Sequence, residues 1–249
     1  MSEVKYPSPA GSVASYLAVP PGEGPWPGVV VIMDVFGMSR DLRRQCDHLA
    51  RNGYLAIAPD LYAWGSKITC IRATFAALRR GSGRPFQDID AARIWLASRS
   101  DCTTQVGVIG FCLGGGFALL LAPQGEFAVA SVNYGQVPKG AESKLQGSCP
   151  VVASYGARDR SLKGHAQRLE RALEQLGVEH DVREYSGVGH GFMNNHTGRL
   201  GKLMGVLGVR YDAASTDDSW RRILSFFERH LRTDPPGTVT SEAAIQGGE

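Results

Sequence analysis

A cysteine, an aspartate and a histidine each stand where a strand-like run gives way to a glycine-rich turn. Cys112 sits in Gly110-Phe111-Cys112-Leu113-Gly114, after the apolar run Val106-Gly107-Val108-Ile109 and before Phe117-Ala118-Leu119-Leu120-Leu121. Strand, Gly-x-Cys-x-Gly, helix is the pattern of a nucleophile held on a sharp bend, with cysteine in the place usual for serine. The bend strains the backbone at the nucleophile, and glycines two residues to either side remove Cβ atoms that would clash. The sulfur then projects above the sheet, and the N-terminus of the following helix favours the thiolate. A thiol nucleophile needs a base, and the base needs an orienting group. Val151 to Asp159 reads as a buried strand leading into a loop that carries Asp159, and Val182 to Phe192 as a strand leading into the Gly-flanked His190. The order nucleophile, acid, histidine predicts that His190 takes the thiol proton and that Asp159 fixes its tautomer and stabilises the imidazolium.

Attack on a carbonyl also needs donors for the oxyanion. The backbone N–H of Leu113, directly after the nucleophile, is one candidate. The other comes from the loop after the first long strand, Asp34-Val35-Phe36-Gly37, where the N–H of Val35 is expected to serve. Asp34 ends an apolar strand close to where Cys112 should lie. A carboxylate there opposes thiolate formation by like-charge repulsion, or holds the thiol protonated until substrate displaces it. Asp34 is therefore expected to control the thiol. Phe36, Tyr62, Trp64, Phe192 and Asn194 are the remaining pocket candidates, and His196 is a weaker one at the pocket edge.

The elements that must position these groups alternate. A turn at Pro9-Ala10-Gly11 ahead of a strand-like 12–19 suggests an N-terminal hairpin. Gly28 to Met33 is a nearly unbroken apolar strand, as expected when both faces are buried. Ser39 caps a predicted helix that runs to about Asn52, and Gly53 stops it. Further strands are expected at 55–58, 127–133, 150–155 and 180–185. Helices are expected at 69–80, 86–99, 163–176 and 218–231, the last with Asp217-Asp218 near its start and Trp220, Ile223, Leu224, Phe226 and Phe227 on one face. Alternation of this kind predicts a mostly parallel sheet with helices on both faces. One domain over 1–232 is expected, with a disordered Pro/Gly/Ser/Thr-rich tail over 233–249. Residues 191–216 lack periodicity and are read as a wall over the pocket.

With 249 residues, 43% hydrophobic and 20% charged, the chain is long enough to bury a core. A net charge of +3 with no basic run gives no sign of a nucleic-acid partner, and no apolar stretch approaches a membrane span. The N-terminus lacks the apolar core of a signal peptide. Five cysteines without CxxC spacing point to reduced thiols in a cytoplasmic protein, with neither a disulfide framework nor a zinc site. A monomer or small homo-oligomer is expected.

Several features have plainer readings. Cys46, Cys70, Cys102 and Cys149 lack the bend and default to packing. His48, His165, His180 and His230 read as surface or core histidines, and Asp60 as a turn former after Pro59. Arg79-Arg80 reads as a solvated helix end. Gly114-Gly115-Gly116 invites a phosphate-loop reading, but Phe117-Ala118 follow where a lysine and a Ser/Thr would be needed.

Taken together the motifs resemble the dienelactone hydrolase family. The resemblance rests on Asp34-Val35-Phe36-Gly37, Gly53-Tyr54 with Ala58-Pro59-Asp60-Leu61-Tyr62, Gly110 to Gly115, Tyr155-Gly156-Ala157-Arg158-Asp159, Gly189-His190-Gly191-Phe192, and Trp220 to His230. It implies an α/β-hydrolase fold, cofactor-independent hydrolysis of a small-molecule ester or lactone, and Cys112, Asp159 and His190 as the triad. The chain also departs from the family pattern. Family members carry glutamate where Asp34 stands, and an arginine four residues after the histidine, where Asn194 stands. They use a second arginine for the substrate carboxylate, for which Arg72, Arg79 and Arg80 are the candidates here. The cysteine narrows the substrate further. Thiolate leaves a tetrahedral intermediate more easily than alkoxide, so simple alkyl esters revert, whereas enol, phenol and thiol esters go forward. A thioesterase or acyl transferase using the same residues, and a catalytically silent binding protein on the same scaffold, are the alternatives.

Overall fold

A computed structural model describes residues 2–196 and 210–232 of the chain. The strands are β1 (Ser2–Ser8), β2 (Gly11–Ala18), β3 (Trp26–Ile32), β4 (Leu55–Pro59), β5 (Cys102–Phe111), β6 (Ala130–Asn133), β7 (Val151–Gly156) and β8 (His180–Tyr185). The helices are α1 (Arg40–Arg51), α2 (Lys67–Arg80), α3 (Arg84–Ala97), α4 (Leu113–Leu121), the single turn α5 (Ala141–Lys144), α6 (His165–Gln175) and α7 (Ala213–Leu231). No helix of the described residues is long and apolar enough to cross a membrane.

The eight strands form one sheet in the order β1-β2-β4-β3-β5-β6-β7-β8. β1 pairs antiparallel with β2, and β2 antiparallel with β4, while every pairing from β4 to β8 is parallel. This is the α/β-hydrolase fold. β3, β4 and β7 carry apolar residues on both faces because helices cover both, and Val29 to Ile32 and Val151 to Ala153 have no exposed surface. From β3 the chain first adds β4 on one side and then β5 on the other. The order therefore reverses between β3 and β5, where Ile32 pairs with Gly110. A crevice opens beyond the carboxyl ends of the strands at such a reversal, and in open α/β sheets that crevice holds the ligand site.

The expected elements are present with shifted ends. α7 begins at Ala213, not near 218, because the Asp212 carboxylate accepts from the Ser215 N–H at 2.8 Å and caps the helix one turn earlier. Asp217 and Asp218, expected to start it, lie inside it. The short α5 was not anticipated. The expected tail over 233–249, and 197–209 of the expected wall, lie outside the described residues.

The glycine run of α4 is a packing device. A Cβ on Gly114 would lie 2.3 Å from the Ile32 carbonyl oxygen of β3, and one on Gly115 would lie 2.7 Å from the Asn133 carbonyl oxygen of β6. α4 can thus press its first turn onto the ends of both strands that flank β5. Gly115→Ala is expected to cost about 3 kcal/mol of stability or more, because the obstruction is backbone and cannot rotate away. Gly65→Ala, whose new methyl would stand 3.5 Å from Cys70 Sγ, is the control and should stay within roughly 0.5 kcal/mol of the parent. Urea unfolding followed by circular dichroism measures both.

Candidate active site

The bend after β5 is strained as its sequence requires. Cys112 has φ 54° and ψ −113°, a conformation that side-chain-bearing residues rarely adopt. The turn holds because Gly110 passes under Gly114, where a Cβ would come within 1.9 Å of the Gly114 carbonyl oxygen. The Cys112 N–H donates to the Asn133 carbonyl at 3.0 Å and ties the bend to β6. The thiol is partly exposed, unlike the buried Cys46, Cys70 and Cys102.

Two further strand ends deliver groups to this sulfur. Asp159 follows β7 and His190 follows β8, and Tyr185 and Gly156 close the register of that pair. Gly156 lets the His190 loop cross, since a Cβ there would lie 2.6 Å from the Gly189 carbonyl oxygen. His190 Nε2 lies 3.0 Å from Cys112 Sγ, and His190 Nδ1 lies 2.6 Å from Asp159 Oδ2. The other oxygen of Asp159 accepts from the Ser161 N–H at 2.9 Å and from the Ser161 hydroxyl at 2.6 Å. Burial opposes charge on both partners, but the bonds outweigh it. The Asp159 carboxyl is held below its ordinary value by His190 and Ser161, and the His190 imidazole is held above its own by Asp159 and Cys112.

The oxyanion candidates belong to the segments that follow the neighbouring strands β3 and β5. Leu113 is the first residue of α4, so its N–H belongs to those a helix start leaves without an intrahelical partner. Val35 follows β3, the neighbour of β5 at the reversal.

Asp34 departs from the expectation. It does not bond the thiol. Its Oδ1 accepts from the Phe36 N–H at 2.8 Å, and its Oδ2 accepts from Asn194 Nδ2 at 3.3 Å and lies 3.4 Å from His196 Nε2. The short aspartate closes a turn on its own backbone. The bond to Asp34 pushes the His196 imidazole above its ordinary value, against the cost of burial, and its ring meets Phe36 edge-on at 4.8 Å. Asn194 is buried and fully engaged. It also donates to Asp41 Oδ2 at 2.8 Å and accepts from the Tyr134 hydroxyl.

The other pocket candidates divide. Tyr62 is buried beneath Gly37, and its hydroxyl finds no hydrogen-bond partner among the described residues. Burial first, then the charges of Asp34 and Cys112, push its phenol above the ordinary value. Trp64 is not brought to the triad by any bond. Its indole N–H donates to the Leu61 carbonyl at 3.1 Å, and the Arg84 guanidinium stands over its ring at 4.8 Å. Phe192, expected in the pocket, is core. Gly191 at φ 69° reverses the chain, and the ring packs against Tyr134 and Tyr185 with no exposed surface. Arg79 and Arg80 line a separate groove that no triad residue borders.

Tyr134, Asp41 and Ser161 were not singled out from the sequence. Tyr134 has φ 41°, packs its ring edge-on to His190 at 5.3 Å and bonds Asn194, so it braces the histidine from β6. No motif marks it. Asp41 looks like an ordinary first-turn acid of α1, yet it is buried and bonds Arg44, Gln45, Asn194 and the Asn195 N–H.

A pH-dependent stability follows from the Asp159–His190 bond. A lowered carboxyl value adds stability that is lost as pH falls through it, and a raised imidazole value adds stability that is lost as pH rises through it. Asp159→Asn should therefore destabilise most between about pH 4 and pH 6.5, the ordinary values of the two groups, and progressively less as His190 deprotonates at high pH. Thermal unfolding of parent and variant across pH 4 to 10.5 measures the difference.

Comparison with known proteins gives the family. The family model described as "Dienelactone hydrolase family" matches residues 13–231. A protein of Yersinia pestis named "Putative carboxymethylenebutenolidase" is 27% identical over 262 residues, with 92% of this chain and 88% of the relative covered. A "Carboxymethylenebutenolidase" of Rhodococcus opacus is 28% identical over 236 residues, covering 90% of this chain and 89% of its own. The crystal structure of a putative dienelactone hydrolase from Klebsiella pneumoniae superposes with a TM-score of 0.76 at 26% identity, covering 92% of this chain and 98% of the other. With the family model spanning all the strands from β3 to β8 and the three segments that meet at the sulfur, this chain belongs to the dienelactone hydrolase family.

Proposed function

We propose that the chain hydrolyses an activated ester or enol lactone without a cofactor, through a thioester on Cys112. The observation that carries this is the pair of bonds linking Cys112 Sγ, His190 and Asp159, at 3.0 and 2.6 Å. The thiolate adds to the carbonyl carbon, and the N–H groups of Leu113 and Val35 receive the developing oxyanion. Collapse breaks the bond to the ester oxygen, and His190 delivers its proton to that oxygen as it leaves. Water then enters. His190 takes a proton from it, the hydroxide adds to the thioester carbon, and the thiolate departs as the carboxylic acid is released. Asp159 keeps His190 in one tautomer and balances its charge in both half-reactions.

The substrate class follows from the sulfur and from its surroundings. A leaving group poorer than thiolate sends the intermediate back, so the reading favours enol and aryl esters. The relatives named carboxymethylenebutenolidase act on a carboxylate-bearing lactone by their name. Here the place of the family arginine is taken by Asn194, which is already bonded to Asp34, Asp41 and Tyr134. The site therefore favours a lactone or ester that does not need a guanidinium at that position.

Incubation with p-nitrophenyl acetate should give a burst and an acetyl adduct on Cys112 by mass spectrometry. Cys112→Ala should abolish both, and undiminished turnover in that variant would overturn the reading. Asp159→Asn should lower kcat by about 10²- to 10⁴-fold with a much smaller change in KM. Ethyl acetate should turn over far more slowly than the aryl ester. Preferential transfer of the acetyl group to an added alcohol would identify an acyl transferase instead.

A further inference from the structure

We propose that the groove between α2, α4 and the loop after β6 binds an organic diphosphate, at a site separate from the triad. The groove has a volume of about 680 Å³, and four cations line it: Arg79, Arg80, Lys139 and Lys144. Its apolar lining is Leu78, Leu120 and Pro138, and among the described residues no acidic side chain lines it.

Three elements build this concavity for reasons of their own. α2 ends at Arg80, where Gly81 at φ 72° turns the chain and leaves two guanidinium groups at the rim. Leu78 packs over α4 at Gly116, where a Cβ would stand 3.1 Å from the Leu78 side chain. The opposite rim is fixed by α6, since the Val137 N–H donates to His165 Nδ1 at 2.9 Å and Arg168 donates to the Val137 carbonyl at 3.3 Å. Lys139 is thus carried on an anchored loop, and Lys144 on α5, which follows it.

Arg43, Arg84, Arg93 and Arg99 each have a carboxylate partner. Among the described residues none of the four groove cations makes an ion pair. Like charges gathered around one concavity repel one another, and an anion between them removes that repulsion. The residue types narrow the anion. Guanidinium forks and ammonium groups together suit phosphate oxygens, and two charges on each rim suit two linked phosphates. The leucines and the proline offer an apolar bed for the organic part, and the volume lies in the range of small-molecule sites. A concave site of this size favours a soluble ligand over a flat lipid surface.

Calorimetric titration of the full chain with ADP tests the assignment. Saturable binding is expected, weaker by several-fold when sodium chloride is raised from about 50 to 300 mM. The double variant Arg80→Glu/Lys139→Glu should weaken it at least tenfold while hydrolysis of an aryl ester and the thermal midpoint stay close to those of the parent. Adenosine should not bind, and sodium sulfate should bind more weakly than ADP. Equal affinity in the double variant, no advantage of ADP over sulfate, or binding only to phosphatidylglycerol vesicles would each overturn the proposal. If ester hydrolysis failed while ADP binding and its charge dependence held, the reading of the triad would fall and this one would stand.

Discussion

The contact between Cys112 Sγ and His190 Nε2 joins positions 78 residues apart, and the surrounding architecture serves to make that contact possible. A thiol on a regular strand would stand on one face of the sheet, against the helices that cover it. The positive φ at Cys112 lifts it, and that conformation survives only because glycine backbone passes where side chains would otherwise collide. The imidazole reaches the sulfur because β7 and β8 run parallel to β5 and end on the same side. Tyr134 then fills the space behind the ring. Loosening any one of these would move the imidazole by more than a hydrogen bond tolerates.

The carboxylate at the end of β3 shows how a small change in reach alters the wiring. Asp34 is one methylene shorter than the glutamate that the family resemblance leads one to expect, and its carboxylate bonds Phe36 N–H, Asn194 and the His196 side. Its oxygens face His196 and an amide, and among the described residues the sulfur's hydrogen-bond partner is the His190 imidazole. Asp41 draws the same amide from the other direction. Two buried carboxylates are thereby shared by one asparagine, and the place of a cation is taken by a neutral donor. That arrangement ties the start of α1, the β3 loop and the His190 loop into one polar cluster beneath the crevice.

Much of this was legible in the sequence because it is local. A strand, a turn and a helix leave periodicity and glycine signals within a few residues, so the bend at Cys112 and the strand ends before Asp159 and His190 could be placed without coordinates. The alternation of elements carried the parallel sheet. What was not legible depends on where side chains go after a chain reversal. Phe192 reads as a pocket aromatic, but Gly191 turns it inward onto Tyr134. Asp34 reads as a partner for the thiol, but an aspartate can close a turn on its own backbone. Tyr134 and Asp41 carry no local signal, since their partners come from segments far away in the chain. The start of α7 was misplaced because two acids resembled a cap while Asp212 supplied it.

Arg222 of α7 gives the sheet's far edge a particular character. Its guanidinium donates to the Ala153 carbonyl at 3.2 Å and to the Asp181 carbonyl at 2.7 Å, and bonds the Asp181 carboxylate, the Ser154 hydroxyl and the Tyr185 hydroxyl. It therefore stitches together the two outermost strands, whose ends carry Asp159 and His190, while the sulfur follows the interior strand β5. Cys112 and the two residues proposed to activate it consequently belong to regions of unequal local stability. Fraying that begins at this margin would break the contact at the sulfur while most of the sheet remained folded, so that the proposed activity would report on a single rivet at the molecule's border.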